Sequence, residues 1–139
     1  MSSDEELYHE LSYYTLAHPD PSFIHQHLVD AHAAQHAEAS AKPIGVIFAL
    51  IGLYLHVEKG FTGRQVQRAH MQLAKRRKQW PAIEPPAVRG TIAIADVVAV
   101  PAGPERDAMI HHWCAAVWEA WKPRQDEIVE LVRNELGVA

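Results

Sequence analysis

The sequence predicts an all-α, single-domain bundle of about five or six helices. Apolar side chains recur at three- and four-residue spacing in most of its segments, as on the buried face of an amphipathic helix. Segment 43–59 (PIGVIFALIGLYLHVEK) is apolar nearly all round, which is typical of the central helix of a bundle. At 139 residues the chain has room for one hydrophobic core, so we expect residues 1–139 to form one helical domain.

The amino-terminal part contains two further predicted helices. Residues 4–17 (DEELYHELSYYTLA) combine helical periodicity with acidic residues in the first turn, where the helix dipole favours them. The sequence His-Pro-Asp-Pro at 18–21 predicts a loop, because a proline disfavours helical geometry in the residue before it. A second helix is expected over 22–40. In the apolar third helix, Gly45 and Gly52 share a face on which a neighbouring helix can approach closely.

The carboxyl-terminal part begins with a predicted capping box, in which Thr62 and Gln65 exchange hydrogen bonds at the start of a fourth helix. The proline-rich stretch 81–89 predicts a surface connector. Segment 91–101 (TIAIADVVAVP) is rich in β-branched residues, yet no second strand is available to pair with it, so we favour a short helix. The predicted helices of this part are 63–79, 94–98, 104–121 and a last one after Pro123 that ends at Gly137.

Composition excludes several classes of function. The formal net charge of -4, with 22% charged residues, gives no general attraction to nucleic acid or to anionic membranes. The single cysteine, Cys114, excludes an intrachain disulfide. The acidic amino terminus does not resemble a secretory signal, and the longest apolar run, 44–55, is shorter than the roughly 20 residues of a membrane span. We therefore expect a cytoplasmic protein with neither a membrane nor a nucleic-acid partner.

Histidine is the most informative residue type in the chain. Five of its ten histidines lie in the segment HPDPSFIHQHLVDAHAAQH. On one continuous helix, His25, His32 and His36 fall within roughly 40° of each other on one stripe. His56 and His70 are expected to face inward from the third and fourth helices. Because neutral imidazole is a good ligand for zinc, iron, copper or nickel, a subset of these five histidines is predicted to bind a divalent transition metal.

The other histidines are weaker candidates. His18 and Asp20 lie in the predicted loop, where they can act as a general base with its carboxylate or simply cap a turn, and the turn is favoured. His27 lies roughly 160° away from the stripe, so we interpret it, like His18, as a bystander. His111 and His112 are neighbours on a helix and point about 100° apart, so they cannot both serve one site.

Three functions remain open on this basis. The first is a metal-binding protein or metal-dependent enzyme with an open coordination position. The second is a metal-free pocket in which a histidine, with Tyr or Glu, binds or transforms a small-molecule substrate. The third is an interaction module that forms a homodimer or binds an anionic partner, through Trp113, Trp118 and Trp121 or through basic side chains of the fourth helix such as Arg64, Arg68 and Lys78. A structural polar core, with histidines bonded to tyrosines, is equally compatible with the pattern.

Several long strings in the sequence resemble an uncharacterised bacterial family. They are LYHELSYYTLAHPDPSFIHQH, VDAHAAQHA, KPIGVIFALIGLYLHVEKGFTGRQVQRAHMQLA and WCAAVWEAW. They are similar to the family catalogued as domain of unknown function 5946, and the similarity extends from about Leu7 to Trp121. The resemblance implies no activity. It does imply a cysteine-containing amino-terminal segment, which this sequence lacks, so we expect no metal site built from such cysteines.

Overall fold

A computed structural model of the chain describes residues 3–18, 20–76 and 79–137. These residues form seven α-helices and no β-strand. The helices are α1 (Asp4–Ala17), α2 (His25–Gln35), α3 (Pro43–Lys59), α4 (Gly63–Arg76), α5 (Ile94–Ala99), α6 (Pro104–Ala120) and α7 (Gln125–Leu136), with a 3₁₀ turn at Lys122–Arg124. The predicted all-α fold is confirmed. Each of the seven helices corresponds to a segment predicted to be helical, including the short segment after the connector, so the described residues contain one helix more than the upper estimate of six.

Helices α2 and α3 occupy the centre of the bundle. α3 packs against α2, α4, α6 and α7, and α2 packs against α1, α3, α4 and α6. Between Val46 and Leu55 every residue of α3 except Phe48 is buried. The central position predicted for the apolar segment 43–59 is therefore confirmed. No helix in the described part of the chain has the length and apolar character needed to cross a membrane.

Helix α2 is shorter than the sequence predicts. It spans His25–Gln35, whereas the predicted helix covers 22–40. Phe23 has a φ of 62°, in the left-handed region, so the chain cannot continue from the preceding loop as a regular helix. The Asp20 carboxylate then accepts the Ile24 N–H at 3.1 Å, and this hydrogen bond closes the turn that leads into α2.

The start of α4 packs against the loop that precedes α2. The predicted capping box is present: the Gln65 N–H donates to Thr62 Oγ1 at 3.2 Å, and the Thr62 N–H donates to Gln65 Oε1 at 2.8 Å. Gly63 is the first residue of α4, and a Cβ added there would lie 1.7 Å from the carbonyl oxygen of Phe23. A glycine is therefore required for the close approach of α4 to the loop before α2.

Segment 79–93 joins α4 to α5 without regular structure, as its prolines predict. Gln35, the last residue of α2, fastens it to the bundle. The Gln35 side-chain amide donates to the carbonyl oxygens of Arg89 and Ile92, at 3.1 and 2.7 Å. Its oxygen accepts the Trp113 indole N–H at 2.9 Å. One polar side chain thus connects α2, the connector and α6.

The two glycines of α3 have different surroundings. A Cβ added at Gly52 would lie 2.0 Å from Asp30 Oδ2 and 3.1 Å from Val66 Cγ1. A Cβ added at Gly45 would meet no atom within 4 Å. The predicted close approach of a neighbouring helix therefore occurs at Gly52 and is wrong for Gly45. Gly52 makes room for the buried carboxyl of Asp30, which projects from α2 toward α3.

We predict opposite effects of alanine at these two glycines. Gly52→Ala should lower the free energy of unfolding by about 1–3 kcal/mol, because its methyl group would overlap the buried carboxyl group. Gly45→Ala should raise it by up to about 1 kcal/mol, since alanine is the better helix former and space is free. Urea unfolding followed by circular dichroism measures both. Equal changes in the two variants would contradict the packing of Asp30 against α3.

Candidate functional site

Two of the five predicted metal ligands have separate structural roles. The His70 ring donates from Nε2 to the Phe48 carbonyl oxygen at 2.7 Å. The His25 ring lies with Nδ1 2.9 Å from Thr15 Oγ1, and that hydroxyl donates to the Ser12 carbonyl at 3.0 Å. Thr15 must then accept a proton from His25 Nδ1. Neither histidine contacts another predicted ligand within the described residues.

His32 and His36 lie together at the outer side of α1 and α2. Their ring centroids are 4.4 Å apart, and the His32 ring stacks on Tyr8 at 4.0 Å. His36 Nε2 lies 2.9 Å from Asp4 Oδ2. Burial, with the nearby His36, lowers the pKa of His32 to about 4, so this ring is neutral at neutral pH. His32 lies in α2 and His36 directly follows its last residue, so the two rings are adjacent as predicted, in a partly exposed group.

The buried face of α2 differs from the predicted histidine stripe. Leu28, Ala31 and Ala34 are fully buried, and His27 and Asp30 are buried with them, at 2% and 3% exposure. The prediction that His27 is a surface bystander is wrong. Because α2 is central, α3 and α6 pack against a face of α2 that carries the polar side chains of His27 and Asp30. The buried Leu28 fits either this face or the predicted stripe, so it does not show which side of α2 is buried.

Three histidines from three helices meet where α2, α3 and α6 come together, and we call His27, His56 and His111 the histidine cluster. His27 stacks on His56 with ring centroids 3.5 Å apart and an interplanar angle of 18°. The His111 ring lies 4.9 Å from His56 and 5.9 Å from His27. Burial lowers the pKa of all three, and the neighbouring rings help to lower the pKa of His27 to about 3. The cluster is therefore neutral at neutral pH.

Hydrogen bonding fixes where the protons of the cluster lie. His56 Nδ1 is 3.0 Å from the Phe61 carbonyl oxygen, which can only accept, so His56 donates from Nδ1. In a neutral ring His56 Nε2 is then unprotonated, and it lies 2.9 Å from His111 Nδ1. His111 must therefore donate from Nδ1 and keep a lone pair on Nε2. This hydrogen-bonded chain leaves a free base at its outer end.

His111 lines a pocket of about 190 Å³ between α1, the loop before α2, and α6. A cavity of about 150 Å³ holds a benzene ring, so this pocket fits a ligand of about six to ten non-hydrogen atoms. Most of the lining is polar. The lining residues are Tyr14, Thr15, His18, Asp20, Ser22, Ile24, Asp107 and His111.

His18 and Asp20 take part both in a capped turn and in this pocket. The predicted turn is present, since Asp20 accepts from the Ser22 hydroxyl and from the Ile24 N–H. Burial alone would raise the pKa of Asp20, but these hydrogen bonds lower it below its ordinary value. His18, interpreted from the sequence as a bystander, is among the residues that line the pocket.

A buried carboxyl and a buried thiol lie next to the cluster. Asp30 Oδ1 accepts from the Gln26 amide at 3.2 Å, and the Cys114 thiol lies 3.5 Å from the His27 carbonyl oxygen. Burial raises the pKa of both Asp30 and Cys114 well above their ordinary values. Cys114 is therefore a thiol and not a nucleophilic thiolate at neutral pH. Asp30 Oδ2 and His27 Nδ1 have no hydrogen-bond partner among the residues that the structure describes.

The predicted metal ligands do not converge on one point. Within 3–18, 20–76 and 79–137, no group of three or more His, Cys, Asp or Glu side chains is arranged to hold a metal ion. Two histidine nitrogens do approach each other within hydrogen-bond distance: His56 Nε2 lies 2.9 Å from His111 Nδ1. His56, a predicted ligand, is thus paired with a histidine outside the predicted set.

The tryptophans and the basic side chains that were considered for partner binding differ in their exposure to solvent. Trp113, Trp118 and Trp121 are all buried, so the expectation that one of them meets a partner chain is wrong. They fill the core because α6 and the turn that follows it pack against α2, α3 and α5. Arg64 and Arg68 of the basic face are exposed, as predicted, and Lys78 lies outside the described residues.

A comparison with protein-family models matches residues 5–122 of the chain to the family of unknown function DUF5946. The chain belongs to this family. The matched residues include the histidine cluster and every residue that lines the pocket, and the predicted resemblance is confirmed. Comparisons with curated proteins and with solved structures give no match.

Sequence reasoning on this DUF5946 member missed His27 and His111 as members of one site. A signal for His27 exists, since it precedes Ala31 and Ala34 by four and seven residues, the spacing of one buried helical face. His111 offers no such local signal. Its partner His56 is 55 positions away in the sequence, and only the packing of α3 against α6 brings the two rings together.

We predict that His27 makes this DUF5946 protein sensitive to acid. The unfolded chain protonates a histidine below about pH 6.5, whereas folded His27 does so only near pH 3, so stability present above that range is lost as the pH falls. His27→Phe keeps an aromatic ring against His56 and cannot take a proton. Between about pH 6 and pH 4 its unfolding free energy should fall less steeply than that of the wild type, by about 1.4 kcal/mol per pH unit. Urea unfolding across this range measures both slopes, and equal slopes would contradict a buried, neutral His27.

Proposed function

We propose that this protein binds a small polar molecule in the pocket and accepts a proton from it at His111. The observation that carries the proposal is the hydrogen-bonded chain from His111 Nδ1 through His56 to the Phe61 carbonyl. This chain supports an unprotonated Nε2 on a residue of the pocket wall. A histidine with a fixed tautomer, whose second nitrogen is held by an acceptor, is the usual arrangement of a general base.

The charges around His111 favour this role. Partial burial lowers the pKa of His111, so the ring is available as a neutral base at neutral pH. When Nε2 takes up a proton, the hydrogen bond from Nδ1 to His56 stabilises the imidazolium. The carboxylates of Asp107 and Asp20 also act on this ring in the direction that favours its protonated form. The chemistry supported is therefore proton abstraction from a bound molecule, or activation of its hydroxyl group.

The proposal predicts one protonation pattern and one binding site. Nitrogen-15 NMR of the histidine rings should find His111 protonated at Nδ1 and bare at Nε2 near neutral pH. In His56→Phe, His111 loses its acceptor and should become a mixture of tautomers. A library of polar molecules with up to about ten non-hydrogen atoms should contain binders that shift the ring signals of His111 and His18 and leave those of His70 unchanged.

The matched control is His112→Gln, which alters an exposed histidine next to His111 on the same helix. It should leave both the tautomer of His111 and the binding unchanged, whereas His111→Gln should alter the response of the pocket. A proton found on Nε2 of His111 in the wild type would sink the proposal. The same holds if no molecule in the library shifts His111 or His18.

A second candidate function, binding of a transition metal, is favoured by one distance. His56 Nε2 and His111 Nδ1 are 2.9 Å apart, and two nitrogens bound to one tetrahedral ion with bonds of about 2.0–2.1 Å lie about 3.3–3.4 Å apart, so a small separation of the two rings would admit an ion. In that case a metal would replace the proton between the rings. Elemental analysis of untagged protein should then find about one equivalent of zinc, iron, copper or nickel, and His111→Gln should abolish it. Less than about 0.2 equivalents of metal in the wild type would exclude an ion shared by these two rings. The same holds if the metal content is lost in His36→Gln and retained in His111→Gln.

A further inference from the structure

The hydroxyl groups that line the pocket each donate their proton to an acceptor of the protein. The Tyr14 hydroxyl lies 2.7 Å from Asp107 Oδ1, and the Thr15 hydroxyl lies 3.0 Å from the Ser12 carbonyl oxygen. The Ser22 hydroxyl donates to the Asp20 carboxylate. Each hydroxyl has one proton, so none of these three side chains has a proton left for a ligand.

The imidazoles of the pocket wall are used in the same way. His18 Nδ1 lies 3.1 Å from the Tyr14 carbonyl oxygen and must donate to it, so Nε2 is the ring nitrogen that remains for a ligand. His111 donates from Nδ1 to His56 and likewise keeps an unprotonated Nε2. The Nδ1 protons of two histidines from different parts of the fold are therefore used within the protein, and their Nε2 nitrogens remain for a ligand.

The charge of the lining has one sign. Asp20 and Asp107 contribute carboxylates, and the described residues that line the pocket include no Lys or Arg. Arg106 precedes Asp107, but its guanidinium donates to the carbonyl oxygens of Val98 and Val100, at 3.0 and 2.9 Å. It lies over the Tyr14 ring, 4.8 Å from the centroid, and outside the lining. A ligand thus meets the carboxylate oxygens of Asp20 and Asp107 and the Nε2 nitrogens of two imidazoles.

We infer that the ligand of this pocket is a small organic cation with N–H donors, such as a primary ammonium compound, held between the carboxylates of Asp20 and Asp107 and the free nitrogens of His18 and His111. An ammonium group provides three protons and a positive charge, and each of its hydrogen bonds to a carboxylate is charge-assisted. A carboxylate or phosphate ligand would instead face like charges and acceptors. This inference rests on the proposed function, since it names the ligand class of the same pocket.

The test compares three probes that share a four-carbon chain: diaminobutane, butanediol and succinate, each titrated into the untagged full chain in the presence of EDTA. Diaminobutane should shift the ring signals of His18 and His111, with an affinity at least about tenfold above that of butanediol. Succinate should not bind at these residues. Asp20→Asn and Asp107→Asn should each weaken diaminobutane binding by about tenfold or more, because each removes one charge-assisted contact.

Asp126→Asn is the matched control, since it removes one negative charge from an exposed position on α7. It should leave diaminobutane binding unchanged, which separates contact in the pocket from a general effect of net charge. Equal or tighter binding of butanediol or succinate would overturn the inference, and so would the absence of diaminobutane binding at about 10 mM. If the His111 tautomer and other binders from the library persist in that case, the ligand class alone is wrong. If the His111 tautomer is not the expected one and no other molecule binds, the proposed function is wrong as well as the ligand class.

Discussion

Helix α2 lies inside the bundle, in contact with α1, α3, α4 and α6, although polar and ionisable side chains occur around its whole circumference. A charge on a buried side chain is costly, so such groups must be neutral, hydrogen-bonded or both. His27 and Asp30 meet this requirement by staying neutral, as the lowered pKa of the first and the raised pKa of the second indicate. Gly52 of α3 is the steric counterpart of the same constraint, because a larger residue would leave no space for Asp30.

The chemistry of the candidate site follows from this requirement. A neutral His27 can stack closely on His56, whereas two imidazolium rings 3.5 Å apart would repel each other strongly. His56, confined by that stack and by its bond to the Phe61 carbonyl, has one tautomer open to it. That tautomer in turn decides which nitrogen of His111 is free. The stack on His27 thus holds the His56 ring in place, and the Phe61 carbonyl determines, through His56, which nitrogen of His111 carries the proton.

Much of the fold could be predicted from the sequence because its signals are local. The capping box at Thr62, the apolar helix 43–59 and the short helix near Ile94 depend on residues within a few positions of each other, and all three are present. The candidate site depends on contacts between distant segments. His111 meets His56 only through the packing of α3 and α6, so periodicity along one helix could not reveal it.

The phase of α2 illustrates a second limit. A helix that is enclosed on most sides gives no clear contrast between an apolar and a polar face, and the contrast is what a helical wheel measures. The stripe of His25, His32 and His36 is regular, yet the structure divides it between a threonine contact and a partly exposed group beside Tyr8. The regular spacing therefore correctly placed these three histidines on one side of the chain segment, but it did not show that the buried side of α2 is a different one.

An ammonium ligand and the base at His111 are coupled through charge. A cation bound to Asp20 and Asp107 disfavours a second positive charge on the nearby ring, so it keeps His111 neutral and able to accept a proton. When His111 accepts a proton from the ligand, the ligand loses one positive charge and the imidazolium gains it, so the net charge in the pocket does not change. The carboxylates of Asp107 and Asp20 then stabilise the imidazolium. Their attraction for the ligand, whose charge is now lower by one, is weaker, so in the proposed complex the proton transfer itself lowers the affinity for the ligand.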